Sequence, residues 1–333
     1  MCLVRNGTSV KVIDCALDGR ASAVAAGIIN PITGHRFNLT DNFAESMQHA
    51  SKMYQQLHKE LGVSFYRAID QQRVIKNSGQ AHYFNERLKD DAYASYLTKY
   101  TEGTRFTATP FGVAAIHGTG VVNVAELLTC VRQHLKQHDA LLEQEFDYAE
   151  LRLEHALVHY QGLSAKRVIF CEGYRAIHNP WLAHLPFVLS KGEVLTVTDR
   201  EAVPFKGLLN WGQWLVASQG GDTAKLGSNY QWVNLQQSNL LNGHTNQDVA
   251  NKLLASASRQ LNYTLEVTQH EAGIRPTTKH REPFIGPLAT SSNLYCFNGF
   301  GSKGCLTIPG YCELFSEHLI QQSELPHKLT QWL

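Results

Sequence analysis

Two stretches near the ends of the chain hold residue types that could do chemistry. The first, Ser9 to Gly34 (SVKVIDCALDGRASAVAAGIINPITG), opens with a short β-branched run, Val10, Val12 and Ile13, that ends on Asp14. An acid at the end of a strand can accept hydrogen bonds from the two hydroxyls of a ribose. The residues that follow, Gly19, Ala21, Ser22, Ala23, Ala25, Ala26 and Gly27, are too small to fill a core, yet they let a backbone come into contact with a flat ligand. A nucleotide cofactor is one reading. A tight strand-to-helix connection with Asp14 as the helix N-cap is the other, and this stretch alone leaves both open. The second stretch, Glu271 to Gly304, holds Arg275 in the run Gly-Ile-Arg-Pro, where the proline is expected to block regular pairing and free the guanidinium to point away from a sheet. Such an arginine can grip a carboxylate as a two-point fork, or it can be an ordinary surface or ion-pair residue. The same stretch ends in NGFGSKG, with Gly299, Gly301 and Gly304 in GxGxxG spacing. No strand and ribose-binding acid follow it, so the βαβ context that gives that fingerprint its meaning is absent.

Composition sets the frame for both stretches. A length of 333 residues suits two domains or one large α/β unit. With 30 basic and 29 acidic residues, there is no electrostatic reason to expect nucleic acid or an anionic membrane as partner. No apolar run is long enough to span a bilayer and no signal-peptide pattern is present, which favours the cytoplasm. Seven cysteines without a CxxC pair read as reduced, mostly buried residues, and the 16 histidines show neither HxH nor HExxH spacing, so no metal site is expected.

Elements that would position these residues can be read in order. MCLVRNGTS reads as the last turn of a helix with Gly7 as its C-cap. Asn42 to Leu61 reads as a helix with an Asn42/Glu45 capping box and Gly62 as its stop. Val63 to Ile75 alternates like a strand, Gln80 to Leu97 is periodic like a helix, and Phe111 to Val122 is a turn and strand leading into a helix capped by Asn123. From Glu145 a β-meander is expected over Phe146 to Arg152, HALVHYQGL and Lys166 to Cys171. Its last strand, VIFCEG, is a continuous apolar run of the kind found in a parallel sheet covered on both faces. KGEVLTV, NWGQWLVAS and KLGSNYQW then alternate like an antiparallel sheet; their tryptophans, Trp211, Trp214 and Trp232, read as core. A helix over Asn246 to Leu261 follows.

Asp14 followed by RASAVAAGIINPITG resembles the segment after the second strand in FAD-dependent oxidoreductases of the D-amino-acid oxidase and glycine oxidase (DAO) superfamily. HEAGIRPTTKHREPFIGPLATSSNLYCFNGFGSKG resembles the same family's C-terminal signature. The resemblance covers nearly the whole chain, with specific motifs at the two ends and at VIFCEG. It implies an α/β fold made of an FAD-binding Rossmann-like domain (residues 1–40, 120–180 and 270–333) and an antiparallel-sheet substrate domain (41–119 and 181–269). By this likeness Asp14 would hold the adenosine ribose, Arg20, Ala21 and Ser22 would pass the pyrophosphate, and Ala26, Gly27 and Ile28 would pack on the isoalloxazine ring. Gly173, and less directly Glu172, would lie near FAD. Gly299, Gly301, Ser302, Lys303 and Gly304 would lie under the flavin's pyrimidine edge, where backbone N–H groups and a helix N-terminus favour negative charge. Arg275 would grip the substrate carboxylate, with His35 and Arg36 as additional pocket residues or as plain surface. One departure stands out. Only thirteen residues precede Asp14, so the first strand and the GxGxxG loop of the dinucleotide fold are expected to be missing, as in a chain truncated at its N-terminus.

The resemblance implies oxidation of a carbon–nitrogen bond in an amino acid or related amine, with hydride passing to flavin N5 and oxygen or another acceptor taking the electrons. Two alternatives are carried: the same chemistry on a modified tRNA base or a 2-hydroxy acid, and a flavin-free, inactive member of the family.

Overall fold

The structure, a computed structural model, describes residues 1–333 apart from 155, 200–206, 221, 234–240 and 262–263. His155, the first residue of HALVHYQGL, thus lies outside the described residues.

A large mixed sheet dominates the molecule. Its strands lie in the order Gln231–Val233, Phe187–Asp199, Ala224–Gly227, Trp214–Ala217, Leu208–Asn210, Gln71–Val74, Val113–Ile116 and Leu97–Lys99, with Leu265–Thr278 pairing along the whole of Phe187–Asp199. Successive side chains of a strand point to opposite faces, and one face here is apolar. Leu195, Val197, Leu209, Leu215 and Leu226 pack against Ala250, Leu253, Ala257 and Leu261 on or beside the helix Gln247–Gln260. Asn246 caps that helix by accepting from Asp248 N at 2.9 Å, a contact worth about 1 kcal/mol. The sheet's other face carries Ser190, Gly192, Lys225, Gly227 and Arg275 among buried aliphatic residues such as Val194 and Val216.

A smaller sheet has the parallel strand that VIFCEG suggested: Val168–Phe170 runs parallel to Ser291–Asn298, which is antiparallel to Phe284–Leu288. Val12–Ile13 pairs in parallel with Leu141–Leu142. The helix Phe43–Leu61 buries Phe43, Ala50, Met53, Tyr54 and Leu57 and stops at Gly62 in the left-handed conformation, as its sequence indicates. The helix Val124–Gln137 starts at Asn123, whose side chain accepts from Glu126 N.

Several expectations are corrected. Asn42 forms no side-chain cap, because it takes a left-handed backbone (φ +49°) and not the extended one that an N-cap residue uses. Val63 to Ile75 is two strands in two sheets, Tyr66–Ala68 and Gln71–Val74: Ile69 N bonds to Thr119 O while Asp70 O accepts from Leu208 N, so the partner changes at the bend. The helical stretch is Ser78–Arg87 only, followed by a 3-10 turn and the strand Leu97–Lys99. The meander is Arg152–Glu154, Leu157–Tyr160 and Leu163–Ala165, and the segment from Phe146 is a loop and 3-10 turn whose ring stacks on Tyr160. Asp14 caps no helix. Arg20 occupies the N-cap position of the first helix after it, Ala21–Val24, and Asp14 accepts instead from Ala16 N at 3.0 Å. Pro276 does not interrupt pairing, because Leu265–Thr278 is an edge strand and the missing N–H falls on the side facing away from Phe187–Asp199.

Candidate active site

The outer edge of Leu265–Thr278 is where the two ends of the chain meet. Ile274 N donates to Gly19 O at 2.9 Å, and Gly301 N donates to Pro276 O at 3.0 Å. Gly273 permits the first of these approaches: a Cβ there would lie 3.1 Å from Ala21 Cα and 3.3 Å from Arg20 O. Gly301 (φ +56°) sits against Thr277. The helix Gly304–Gln321 also packs on Ile28–Ile29, with Ile29 and Leu306 in one buried cluster. The two anchors read from the sequence are therefore brought together, with the small residues of 19–28 on one side and the loop 299–304 on the other.

Cross-strand register gathers the site's side chains on the face of the large sheet opposite the helix Gln247–Gln260. Trp232 lies beside Ser190, Ser190 beside Arg275, and Gly192 beside Gly273. Farther across, Val194 lies beside Gly227, and Gly227 beside Trp214. Gly192 leaves the space that the Arg275 guanidinium occupies, and Gly227 leaves that of the Trp214 indole. Arg275 Nη2 donates to Ser228 Oγ at 3.3 Å, and its Cζ stands 5.7 Å from the Tyr230 ring centroid. Arg275 Nη1 is buried without a hydrogen-bond partner, as is the fully buried Ser190 Oγ. Burial pulls the Arg275 pKa below its ordinary value, the Tyr230 hydroxyl acting weakly against this. Leaving a buried charged donor unpaired costs more than the ~1–3 kcal/mol of a neutral one, so this guanidinium has donor capacity that the described residues do not use. Lys225, on the same face, places Nζ 3.5 Å from both Val24 O and Ala25 O. Burial lowers its pKa and the Glu271 carboxylate partly offsets that.

The other sequence candidates fall as follows. Both Asp14 oxygens are engaged, one with Ala16 N and one with Arg132, whose second amino group reaches Glu143 at 2.8 Å. Arg20 carries a buried Nε without a partner. Ala21 and Ser22 open the short helix on Gly273. Gly27 (φ +70°) has a structural reason of its own: a Cβ there would lie 1.8 Å from Val122 O, and Gly27 O accepts from Val122 N. Gly173 O accepts from Asn298 Nδ2 at 2.8 Å, which places it beside the 299–304 loop. Glu172 is occupied by Tyr148 Oη at 2.7 Å and Asn179 Nδ2 at 2.8 Å, its pKa raised by burial against the pull of these bonds. Gly299 (φ +91°) lies against Thr278, and Ser302 and Lys303 are exposed at a helix N-terminus that no side chain caps. His35 lines a separate cavity, and Arg36 stands over the Tyr83 ring.

Sequence reading missed Ser190, Gly192, Lys225 and the exposed Trp232, because the pairing partners that bring them to Arg275 are far away in the chain. The signal for Gly192 and Gly227 was a glycine inside an otherwise regular strand. Among the described residues, no group of three or more His, Cys, Asp or Glu could hold a metal, and no helix is long and apolar enough to cross a membrane.

These residues fit an FAD: a cradle of small residues, the orphaned Arg20 Nε, and an uncapped helix N-terminus that favours negative charge. Comparison with known proteins agrees. Residues 1–318 match the family described as FAD dependent oxidoreductase (DAO). The fold is similar to glycine oxidase from Geobacillus kaustophilus (TM-score 0.78, 17% identity, 97% of this chain and 91% of that one). It is also similar to iminodiacetate oxidase from Chelativorans sp. BNC1 (TM-score 0.77, 17% identity, 98% and 93%). A third is L-proline dehydrogenase from P. horikoshii (TM-score 0.76, 14% identity, 99% and 92%). A cradle of small residues where two distant segments meet, and an arginine with one buried amino group unpartnered, thus accompany a match across almost the entire sequence, and the chain belongs to the DAO family of FAD dependent oxidoreductases.

Proposed function

We propose that the chain oxidises the carbon–nitrogen bond of a small amino acid or carboxylate-bearing amine. The observation that carries this reading is the buried, unpartnered Nη1 of Arg275. A carboxylate bound there gains a two-point, charge-assisted contact that fixes the orientation of the carbon bearing the nitrogen. FAD, when bound, supplies the two-electron acceptor, and oxygen or another acceptor takes the electrons onward. Residues 19–28, Gly173 and 299–304 are the candidates to hold it, with Asp14 at the ribose and Arg20, Ala21 and Ser22 beside the pyrophosphate. In this reading Trp214, Tyr230 and Trp232 flank the substrate space, and the burial of Arg275 itself strengthens the arginine–carboxylate contact. Substrate enters as the neutral amine, so activity rises with pH as the amine loses its proton. Residues 1–40, 120–180 and 270–333 serve as the cofactor unit and 41–119 and 181–269 as the substrate unit, with Leu265–Thr278 running across that division.

Anaerobic titration tests the assignment. A yellow protein bleached by glycine, sarcosine, proline or a D-amino acid supports it; a flavin-loaded protein that none of these amines reduces sinks it. Arg275→Ala is expected to lower kcat/KM about 100-fold, the ~3 kcal/mol of a charge-assisted fork, while flavin absorbance per protein stays the same.

A further inference from the structure

The cationic cavity at the far side of this sheet face is lined by none of residues 19–28, Gly173, 299–304 and Arg275, the ones proposed to hold cofactor and substrate. It has a volume of about 360 Å³ and is lined by Asn30, Thr33, His35, Arg73, Lys76 and Asn210, among others. Arg73 is only 8% exposed. Its guanidinium gives one bond to Gly34 O at 2.6 Å and stands 4.1 Å above the Phe37 ring, and no carboxylate pairs with it among the described residues. Lys76 stands at the cavity mouth, also without an ion pair among the described residues, and Gly212 makes room for its ammonium: a Cβ there would lie 2.4 Å from Nζ. Among the described residues, no acid lines the cavity. Burial lowers the pKa of both groups, to about 10 for Arg73, and Arg73 further lowers that of Lys76. Two cations held together, with no carboxylate among the described residues to neutralise them, raise each other's energy, and a bound anion would reverse the sign of that interaction.

We propose that this cavity is a second ligand site, which takes a doubly charged oxyanion, either a phosphate group or a dicarboxylate, between Arg73 and Lys76. Asn30, Thr33 and Asn210 supply neutral polar groups around it, and the guanidinium offers its remaining N–H groups to an oxygen. The site is distinct from the substrate grip. Arg73 and Arg275 lie on strands five pairing steps apart, and at ~4.8 Å per step that is about 24 Å along the sheet. A small amino acid held at Arg275 does not reach it.

Thermal unfolding of the purified chain, with its flavin content as isolated, tests this at constant ionic strength with inorganic phosphate, malonate or chloride. Phosphate or malonate is expected to raise the melting temperature saturably while chloride does not, and the tighter of the two identifies the anion's source. Lys76→Met should weaken that binding at least tenfold, and Arg275→Met should leave it unchanged. In the unmutated protein, the bound anion should also slow acylation of Lys76, followed by peptide mass spectrometry, several-fold relative to exposed lysines; this arm does not depend on the variant folding. No saturable shift, equal shifts in Lys76→Met and the unmutated chain, or an unprotected Lys76 would each overturn the proposal. Loss of the shift in Arg275→Met would move the anion to the substrate grip and overturn it as well.

Discussion

Gly192→Ala would test the carboxylate grip without touching Arg275 itself. Gly192 has an ordinary strand backbone, so alanine causes no conformational strain there. Its Cβ, however, would sit 2.4 Å from Arg275 Nη2, 2.5 Å from Nη1 and 2.7 Å from Cζ, where ordinary contact begins at 3.4 Å. The guanidinium must therefore retreat by about 1 Å. Because it is the far end of a flexible side chain it can do so cheaply, and the cost in stability should stay below ~1 kcal/mol. A displacement of 1 Å at a positioning group costs roughly 100-fold in rate, or about 2.7 kcal/mol. Steady-state kinetics on an amino acid that reduces the flavin should show a loss of kcat/KM of that size, with Tm and flavin content nearly unchanged. The decarboxylated amine, which makes no use of the fork, should lose far less. In an Arg275→Ala background the alanine should cost almost nothing more, since the two changes remove the same contact. An undiminished kcat/KM in Gly192→Ala, or full additivity of the two changes, would refute the placement of the carboxylate at Arg275.

Three further outcomes follow from geometry elsewhere. Gly27→Ala should cost at least ~3 kcal/mol in urea unfolding, because its Cβ would overlap the Val122 carbonyl oxygen at 1.8 Å and its φ of +70° disfavours any side chain. Cys2 should alkylate with a midpoint near pH 7 instead of the ordinary thiol value, because the Cys312 thiol donates to it and lowers its pKa to about 7; Cys312→Ala should move the midpoint upward. Burial holds the Lys225 pKa below its unfolded value, so the charged form carries a cost at neutral pH that fades as pH rises through the folded pKa toward the unfolded one. The stability advantage of Lys225→Met over the unmutated chain should shrink over that range, and a constant or widening gap in denaturant midpoints would contradict the assignment.

Local rules made some of this legible and pairing decided the rest. Asn123, Asn246 and Gly62 mark helix ends by chemistry contained within a few residues, and the helices start or stop at them. Asn42 has the right type for a cap but adopts a left-handed backbone. Arg275 stood out because Gly-Ile-Arg-Pro is unusual in a strand, although Pro276 proved to mark an outer edge and not a break. Ser190, Trp232 and Lys225 join the arginine's face only through register with strands some thirty to ninety residues away in the chain, and alternation within one segment cannot specify that register. The tryptophans show the same limit: Trp211 is core, 3% exposed, while Trp232, with 59% of its surface exposed, flanks the site.

The outer edge of Leu265–Thr278 has a consequence for how the molecule comes into being. Two of its outward main-chain groups, the amide of Ile274 and the carbonyl of Pro276, are claimed by Gly19 and Gly301, residues far apart in the sequence. During synthesis Gly19 waits, unclasped, until the distant strand Leu265–Thr278 has emerged. Closure of the cradle thus depends on long-range pairing, and an intermediate that lacks Leu265–Thr278 and the 299–304 loop holds only one of its walls.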